Sequence, residues 1–386
     1  MDARTLKTLC TPALLACFAL SLLQSGPLFA STPAESMELV VWQSYCAGPY
    51  KRVHKWENPA SSATIERVEV SDKDLRQGYG FVANDRLMLR QLGTGRTFML
   101  DLANEQFSPA DRISCPNFET DKVVLNSQAE IIKTGQITAC IKDHPNCVSI
   151  KIFPGTYPYV FAEADGSVLA ATNYGEVVIF GGTRWCRTSA TYDDSYQCDK
   201  DAKMITEPTG IQFYSSIKYF DKTLVGQFPF GMLYEFNGQV LKRSPMTPPK
   251  FKQEIPRPWG YEVQSIAVYC GDLYIGYYPD GYVWRYDRDM DEWIRFTRLF
   301  SHPEPQKDFI PYTSRKPDGV PRQFFGQRVS ALVPYGDSLY AFTSHLGGSS
   351  SAALWAAGAG RNFLTDSQIS EYGAVWRIHR SGCYTE

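Results

Sequence analysis

The sequence carries almost no net charge, since 39 basic and 41 acidic residues leave −2 at neutral pH. It has no basic stripe and no long run of like charge, so no overall field recruits nucleic acid or an anionic membrane surface. Beyond its first thirty residues it has no stretch of eighteen uncharged apolar residues. We therefore expect a mature chain without a membrane span and without a nucleic acid partner.

Motifs of common enzyme and metal sites are also missing. There is no GxSxG, HExxH, phosphate-binding GxxxxGKS/T or calcium-loop pattern, and no CxxC pair. We expect no cofactor and no metal site. Residues 336–339 spell GDSL, the signature of an esterase family. Residues 270–273 stand at the same place in the preceding repeat, however, which indicates a hairpin turn.

The first thirty residues have the three parts of an export signal. Arg4 and Lys7 form a short positive segment, an apolar stretch follows at 13–23, and Ala30 ends a small-residue cleavage site. The sequence thus predicts a signal peptide at residues 1–30, a single domain at residues 31–386 and a secreted or periplasmic location. A membrane anchor and a lipoprotein box ending at Cys17 are the alternatives, and the apolar run that continues past Cys17 disfavours lipidation there.

Cysteine usage agrees with export. Two of the ten cysteines, Cys10 and Cys17, lie in the leader, and the eight that remain are Cys46, Cys115, Cys140, Cys147, Cys186, Cys198, Cys270 and Cys383. An even set in an exported chain predicts four disulfides. Cys140–Cys147 and Cys186–Cys198 are the local candidates, because each closes a short loop.

A strand–turn–strand phrase recurs along the chain. Aromatic residues, glycine and proline are frequent, with 23 Tyr, 22 Phe, 8 Trp, 29 Gly and 24 Pro, and this mixture suits short strands joined by tight turns. Each phrase is a β-hairpin whose second strand follows a glycine. The copies begin at Leu87, Val168, Leu224, Leu273 and Leu339. A further strand precedes each hairpin and a fourth follows Asp287, so one unit holds about four antiparallel strands.

This repetition predicts an all-β fold: a β-propeller of five to six, at most seven, four-stranded blades after the signal peptide. A four-stranded unit cannot bury both of its faces alone, whereas radial packing against neighbours buries both. The longest interval, between Leu87 and Val168, accommodates a degenerate blade around residues 122–134 or a long insertion. Another all-β sandwich or barrel is the alternative fold.

One repeat resembles a known family. Residues 281–287 (GYVWRYD), with Trp293 six residues later, look like the later half of a kelch repeat, which has an aromatic strand, an Asp turn and a Trp. The chain is similar to kelch-type propellers in architecture only, because Gly276 or Gly226 stands alone where kelch repeats carry a Gly-Gly pair. The resemblance implies a propeller and carries over no catalytic residue.

Closing a propeller requires the two chain ends to meet. Residues 37–42 read as a strand near the mature N terminus, and residues 375–378 read as a strand near the C terminus. We hypothesise that these two strands share one blade and that Cys46 pairs with Cys383.

Position within a blade is the guide to a ligand site, because the first strand of each blade commonly faces the central channel. The residues predicted to lead or flank these strands, and so to bind a ligand at the channel mouth, are Tyr157, Gln212, Trp259, Tyr261, Glu262 and Arg328. Acid, base, amide and aromatic groups together suit a polar ligand. The alternative is that Glu262 and Arg328 form an ion pair or sit in water.

Two long loops are further candidates for a ligand-binding site. Residues 344–372 form an insertion in the last hairpin that contains His345, a predicted binding residue, and a helical turn predicted at 365–371 with Thr365 or Asp366 as its cap. Residues 301–323, with five prolines, form another exposed loop. An inert surface insertion is the alternative in both cases.

These patterns favour binding over catalysis. The leading hypothesis is an exported β-propeller binding protein whose ligand is a carbohydrate or a protein. The alternative is a propeller-fold glycoside hydrolase or lyase acting at the central channel. Glu262 is its only catalytic candidate, and a second carboxylate is required about 5–10 Å away. A purely structural or assembly role is the third possibility.

Overall fold

The computed structural model describes residues 35–43, 50–71, 78–91, 95–111, 122–125, 129–133, 136–141, 147–154, 156, 158–173, 175–181, 184–188, 195–199, 201–206, 209–251, 260–301, 327–345 and 365–386. All of them belong to the larger of two units of the chain, Ala34–Glu386, the other being Met1–Pro33. The predicted signal peptide at 1–30 therefore lies outside the described residues, and it stays a prediction.

The described chain is nearly all β, and most of its strands belong to six antiparallel units of four strands, called sheets 1 to 6 here. Three of these units stand alone, and the other three lie within two eight-stranded sheets. Sheet 1 consists of β4 (Gly78–Ala83), β5 (Arg86–Gln91), β6 (Thr97–Asp101) and β7 (Gln106–Ala110). Sheet 2 consists of β8 (Lys122–Leu125), β9 (Ala129–Lys133), β10 (Gln136–Ile141) and β11 (Cys147–Lys151). Sheet 3 consists of β12 (Pro158–Ala164), β13 (Ser167–Thr172), β14 (Val177–Gly181) and β15 (Arg184–Thr188).

The remaining three sheets follow the same plan. Sheet 4 consists of β17 (Gln212–Tyr219), β18 (Lys222–Phe228), β19 (Leu233–Phe236) and β20 (Val240–Arg243), with the short β16 (Ser195–Gln197) added beside β20. Sheet 5 consists of β21 (Glu262–Tyr269), β22 (Asp272–Tyr278), β23 (Tyr282–Asp287) and β24 (Glu292–Arg298). Sheet 6 consists of β25 (Arg328–Tyr335), β26 (Ser338–Ser344), β27 (Val375–His379) and β3 (Thr64–Val70).

The sheets succeed one another in a circular order. The leading strands β12, β17, β21, β25 and β4 pack side by side in that sequence. Ile137 and Ile150 of sheet 2 share a hydrophobic cluster with Val160 of sheet 3. Sheet 6, the last in the chain, packs against sheet 1 and is joined to it by the parallel pairing of β3 with β7. The predicted all-β propeller is thereby confirmed, and the interval predicted to hold a degenerate blade around residues 122–134 contains sheet 2.

Single glycines in the second strands set the spacing between sheets. A Cβ added to Gly226 would lie 2.4 Å from Cγ1 of Val263, and one added to Gly276 would lie 2.6 Å from Cβ of Val329. In each case the valine belongs to the leading strand of the next sheet. The lone glycine of the repeat therefore exists because a neighbouring sheet approaches its backbone closely.

Sheet 6 joins the two ends of the chain, although not through the strand expected. β27 pairs antiparallel with β3, with Val375 opposite Val68 and His379 opposite Thr64. The hypothesis that residues 37–42 share a blade with residues 375–378 is wrong, because the N-terminal strand that pairs with β27 is Thr64–Val70. This register leaves both Val68 and Val375 among the buried residues of one hydrophobic cluster.

The strand predicted at 37–42 pairs with a different sheet. β1 (Glu35–Gln43) forms a hairpin with β2 (Tyr50–Trp56) and pairs antiparallel with β17, with Val41 opposite Ile217 and Gln43 opposite Ser215. Because β17 is the leading strand of sheet 4, β1 occupies the inner edge of that sheet, on the side of the channel. The C-terminal strand β28 (Cys383–Thr385) completes this layer by pairing with β2.

Two disulfides are present among the described residues. Cys186 and Cys198 are bonded, with Cα atoms 5.3 Å apart, which confirms that predicted pair. Cys383 is bonded to Cys270, with Cα atoms 5.4 Å apart, so the hypothesis of a Cys46–Cys383 bond is wrong. The reason is that β28 lies beside the turn between β21 and β22, where Cys270 stands. Two disulfides are typical of a protein outside the reducing cytoplasm.

The other predicted pair is compatible with the strand register. Cys140 of β10 and Cys147 of β11 stand directly opposite each other in sheet 2. Their sulfur atoms, together with Cys46 and Cys115, lie outside the part of the chain that the structure describes.

Helices are few and short in the described ranges. The helix α1 (Asp366–Ser370) and the 3₁₀ turn Glu371–Gly373 confirm the helical turn predicted at 365–371, and a second 3₁₀ turn is Pro249–Phe251. Thr365 Oγ1 accepts from the backbone N–H of Gln368 at 3.2 Å, and Gln368 Oε1 accepts from that of Thr365 at 2.9 Å, which is a capping box. Among the described helices, none has the length and apolar character needed to span a membrane.

Candidate functional site

Two of the residues predicted at the channel mouth meet each other. Glu262 and Arg328 are the first residues of β21 and β25, and Arg328 Nη2 lies 3.1 Å from Glu262 Oε2 and 3.4 Å from Oε1. Both side chains are almost fully buried, at 0% and 1% exposure. The ion pair that the sequence left open as an alternative is therefore the arrangement observed.

The surroundings of this pair are aromatic and polar. The guanidinium carbon of Arg328 lies 5.0 Å from the centre of the Tyr278 ring, and Arg328 Nη1 donates to Tyr79 Oη at 3.5 Å. Ser344 Oγ also donates to Tyr79 Oη, at 3.4 Å. The charged partner that Glu262 meets here is thus a cation rather than a second carboxylate. The paired acids that a glycoside hydrolase needs are not assembled around Glu262 by these described residues.

The other residues predicted at the channel mouth are spread over separate contacts. Gln212, at the start of β17, accepts a hydrogen bond from the hydroxyl of Tyr214, whose ring centre lies 5.4 Å from that of Tyr159. Tyr261 accepts from Lys250 Nζ at 3.1 Å, and Lys250 also donates to buried Asp280 at 2.9 Å. Gln212 and Tyr261 therefore each have a hydrogen-bond partner within the protein.

Of the three remaining residues predicted to bind a ligand, the structure describes one. His345 directly follows β26 and is buried, at 3% exposure, which places it in the interior and not on an exposed loop. Tyr157 and Trp259 lie outside the described residues. The predicted loop at 301–323 is described only at Ser301.

An open groove lies away from the channel, between sheets 4 and 5. It has a volume of about 700 Å³, within the range of ligand sites, and its walls come from the β17–β18 turn, the segment after β20 and the β23–β24 turn. Its aromatic lining residues are Tyr219, Phe220, Tyr286 and Trp293. Its charged lining residues are Asp221, Lys222, Arg288, Asp291 and Glu292.

Phe220 is presented to this groove by an unusual turn. It is the first residue of the two-residue turn between β17 and β18, where its φ is +52°, and it is 37% exposed. The equivalent positions in sheets 1, 3 and 6 hold Asn84, Asp165 and Gly336, residues that adopt positive φ more readily, and sheet 5 holds the disulfide-bonded Cys270. A bulky aromatic residue at this position is a local cost to stability, and such outliers concentrate at functional sites.

The aromatic rings of the groove contact one another in series. Ring centres are 4.9 Å apart for Tyr219 and Phe220, 6.4 Å for Tyr219 and Tyr286, and 5.4 Å for Tyr286 and Trp293. Trp293 is held in place because its Nε1 donates to the backbone oxygen of Met246 at 2.8 Å. The series therefore forms a fixed apolar wall, and it has an exposed ring, Phe220, at one end.

Ion pairs fix the cations of the groove. Arg288 donates two hydrogen bonds to Glu35, at 2.7 and 3.0 Å, and its guanidinium carbon lies 5.1 Å from the centre of the Phe220 ring. The hydrogen bond to Arg288 lowers the pKa of Glu35, and the same bond raises the pKa of Arg288. Lys222 Nζ lies 3.8 Å from a carboxylate oxygen of Glu235.

The polar groups of the groove can both donate and accept hydrogen bonds. Burial, together with the Asp291 carboxylate that accepts a hydrogen bond from its hydroxyl group, raises the pKa of Tyr286 to about 12. Burial also raises the pKa of Tyr219, so both hydroxyl groups stay protonated at neutral pH. A ligand in the groove thus meets aromatic faces and carboxylate acceptors side by side, with Arg288 and Lys222 as nearby donors.

Sequence reasoning missed this groove because its walls are distant in the chain. The residues come from three loops that follow β17, β20 and β23, and only the packing of sheet 4 on sheet 5 brings them together. One local signal was available. Phe220 stands at a hairpin turn position, where three of the other repeats carry residues suited to a left-handed backbone.

Comparison with known proteins gives limited information. No protein-family model matches the chain, and no curated protein sequence matches it. Similar solved structures include BamB from Moraxella catarrhalis, at 12% identity and a TM-score of 0.31, covering 86% of this chain and 82% of BamB. A luciferin-regenerating enzyme has 10% identity and a TM-score of 0.39, with 84% and 97% of the two chains covered.

A third similar structure is the WD40 β-propeller domain of Doa1, at 8% identity and a TM-score of 0.35, covering 83% of this chain and 98% of that domain. At these identities and TM-scores the similarities support no conclusion about function, and the kelch resemblance stays a prediction. The circular order of the sheets described above itself carries the assignment of the chain to the β-propeller fold.

Proposed function

We propose that this chain is an exported β-propeller protein that binds a carbohydrate in the groove between sheets 4 and 5. The observation that carries the proposal is Phe220, an exposed aromatic ring held by a left-handed turn at the end of a series of rings in edge-to-face and tilted contact. Aromatic faces bind the apolar faces of sugar rings, and neighbouring carboxylates and cations bind hydroxyl groups.

The channel is the less suitable place for a ligand. Strand β1 pairs with the inner edge of β17, and Glu262 and Arg328 at the starts of their leading strands are buried against each other. A ligand at the channel mouth would have to separate that ion pair, whereas the groove is open. We therefore prefer a binding protein to a hydrolase that uses Glu262.

A thermal-shift screen of the oxidised mature protein against neutral mono- and oligosaccharides tests the proposal. A bound sugar at 100 times its dissociation constant should stabilise the protein by about 2.7 kcal/mol. The variant Phe220→Asn should lose the ligand-induced shift and keep the fold, because asparagine tolerates the left-handed turn. Leu102→Asn is the matched control, since Leu102 is also an exposed apolar residue, at 63% exposure, in another hairpin turn.

Each outcome of the screen is informative. A sugar that stabilises the wild type and Leu102→Asn but not Phe220→Asn supports the groove as the binding site. A sugar that stabilises all three proteins equally contradicts the groove as its site. If no carbohydrate stabilises the wild type, the proposal fails, and a protein ligand becomes the alternative to pursue.

Export is the second part of the proposal, and it rests on the leader-like residues 1–30 and on the two disulfides. N-terminal sequencing of the protein recovered from outside the cytoplasm should begin at Ser31. Recovery of the full-length chain from the cytoplasm with free thiols at Cys270 and Cys383 would contradict it.

A further inference from the structure

The groove between sheets 4 and 5 has an excess of negative charge. Its lining includes three acids, Asp221, Asp291 and Glu292, and all three are exposed. Asp221 lies in the β17–β18 turn, whereas the other two acids lie at the β23–β24 turn. Both of the sheets that form the groove therefore contribute carboxylates to it.

The two cations of the lining do not balance these acids. Arg288 donates two hydrogen bonds to Glu35, and its Nε lies 3.7 Å from a carboxylate oxygen of Asp289. Lys222 Nζ lies 3.8 Å from a carboxylate oxygen of Glu235. None of these three carboxylates is among the described residues that line the groove. Because each cation is already paired from outside, the lining acids determine the sign of the field that a ligand meets.

The lining acids also have free capacity to accept hydrogen bonds. Within the described ranges, the carboxylates of Asp221 and Glu292 take part in no hydrogen bond and no ion pair. Asp291 accepts from the Tyr286 hydroxyl group through Oδ1, and its Oδ2 is left to accept from a ligand. Positively charged donors form the strongest hydrogen bonds with carboxylates, so a cationic group is the best match for these acids.

The aromatic wall of the groove favours the same charge. The faces of aromatic rings are electronegative and attract cations that lie within about 6 Å of the ring centre. Phe220 already makes one such contact, because the guanidinium carbon of Arg288 lies 5.1 Å from its ring centre. Tyr286 combines both features, since its ring belongs to the wall and its hydroxyl group donates to Asp291. A cationic ligand group is therefore favoured in the groove, and an anionic group is disfavoured.

Resting on the proposed function, we infer that the groove is selective for amino sugars, that is, for carbohydrate units that carry a free, protonated amino group. The sugar rings pack on the aromatic wall, and their ammonium groups bind Asp221 and Glu292. An ammonium group and a hydroxyl group at the same ring position have similar sizes, so charge and not shape provides the selectivity.

Isothermal titration calorimetry with the oxidised mature protein tests this inference at about pH 6, where Asp and Glu side chains are ionised. The probes are two β-1,4-linked trisaccharides, one of glucose and one of glucosamine, which differ only at carbon 2 of each ring. We expect the glucosamine trisaccharide to bind about tenfold more tightly, because exposed ion pairs and a cation over an aromatic ring each add a modest contribution. Raising the salt concentration should reduce this ratio of affinities.

The same ratio is the readout in the variants Asp221→Asn and Glu292→Gln. Both new side chains keep an oxygen that accepts hydrogen bonds but lose the charge, so the glucosamine trisaccharide should lose more affinity than the glucose trisaccharide. The ratio should fall towards one. Asp165→Asn is the control and should keep the wild-type ratio, because Asp165 is an exposed acid in the corresponding turn of sheet 3, outside the groove.

Equal affinities of the wild type for the two trisaccharides would overturn the inference, as would a ratio that is unchanged in both Asp221→Asn and Glu292→Gln. Binding of the glucose trisaccharide leaves the proposed function intact in either case. If neither trisaccharide binds but another carbohydrate stabilises the protein in the thermal-shift screen, only the inference fails. If no carbohydrate binds, the inference and the proposed function both fail.

Discussion

The imidazole of His54 joins the N-terminal hairpin to Cys270. His54 Nε2 accepts a hydrogen bond from the backbone N–H of Cys270 at 2.7 Å, and Nδ1 lies 2.7 Å from Thr385 Oγ1. With Nε2 as an acceptor, the proton of the neutral ring is on Nδ1, where it is donated to Thr385. One buried side chain thus connects β2, β28 and the turn that carries the Cys270–Cys383 disulfide.

Acid should weaken the protein through His54. Burial lowers the pKa of His54 from 6.5 to about 4. The neutral ring therefore contributes stability that is fully present above pH 6.5 and is lost as the pH falls towards 4, by about 3 kcal/mol in total. Chemical unfolding of the wild type and of His54→Gln at pH 7 and pH 4 measures this loss.

The difference in pH dependence of stability between the wild type and His54→Gln reports on the histidine, because the carboxylates titrate in both proteins. Asp272, whose pKa burial raises, changes stability in the opposite direction and is likewise common to both proteins. An identical pH dependence of the two proteins would show that protonation of His54 is not coupled to unfolding.

Gly276→Ala should destabilise the propeller. A methyl group there would lie 2.4 Å from Ser265 Oγ and 2.6 Å from Val329, so we expect a loss of about 1–3 kcal/mol in the free energy of unfolding. Gly181→Ala is the control, because its nearest neighbour is Ser167 Oγ at 3.2 Å on an exposed strand end. Equal stability of both alanine variants would contradict the close approach of sheets 5 and 6.

Glu262→Gln should destabilise the fold by about 3–5 kcal/mol, because it leaves the buried charge of Arg328 without its counter-ion. The double variant Glu262→Leu/Arg328→Met should recover most of this stability, since it removes both charges. Thermal or denaturant unfolding measures both effects. If Glu262→Gln keeps wild-type stability and loses ligand binding, the carboxylate acts on a ligand and the structural assignment is wrong.

The two disulfides should differ in their contribution to stability. Cys270–Cys383 spans 113 residues and Cys186–Cys198 spans 12. Loop-closure entropy predicts contributions of about 5 and about 3 kcal/mol, so the double serine variant at Cys270 and Cys383 should unfold at the lower denaturant concentration. Its m-value should also rise, because the unfolded chain becomes less compact. A larger loss of stability in the double serine variant at Cys186 and Cys198 would contradict this prediction.

The repeating part of the fold could be predicted from the sequence because its determinants are local. Each hairpin at Leu87, Val168, Leu224, Leu273 and Leu339 is marked by alternation and a turn, and Thr365 marks the capped helical turn. Sheet 2 was anticipated only as one of two alternatives, because its strands lack the aromatic phrase of the other repeats.

The long-range pairings could not be predicted in the same way. Strand β1 was expected in the last sheet and pairs with β17 instead, and Cys383 bonds to Cys270 and not to Cys46. Strand pairing between distant segments depends on which edge is available in the folded ring, and no local pattern encodes that. The site has the same limitation, since Phe220 and Trp293 become neighbours only after sheets 4 and 5 have packed together.

The N-terminal strands have consequences for how the molecule is made. All three of β1, β2 and β3 find partners that are synthesised much later, in β17, β28 and β27. Synthesis from the N terminus produces these first strands long before those partners, so one edge of each strand lacks its final partner while the middle of the chain folds. Removing only residues 383–386 would deprive β2 of β28 and Cys270 of Cys383. A chain that ends before these residues therefore keeps an exposed strand edge and is prone to aggregate.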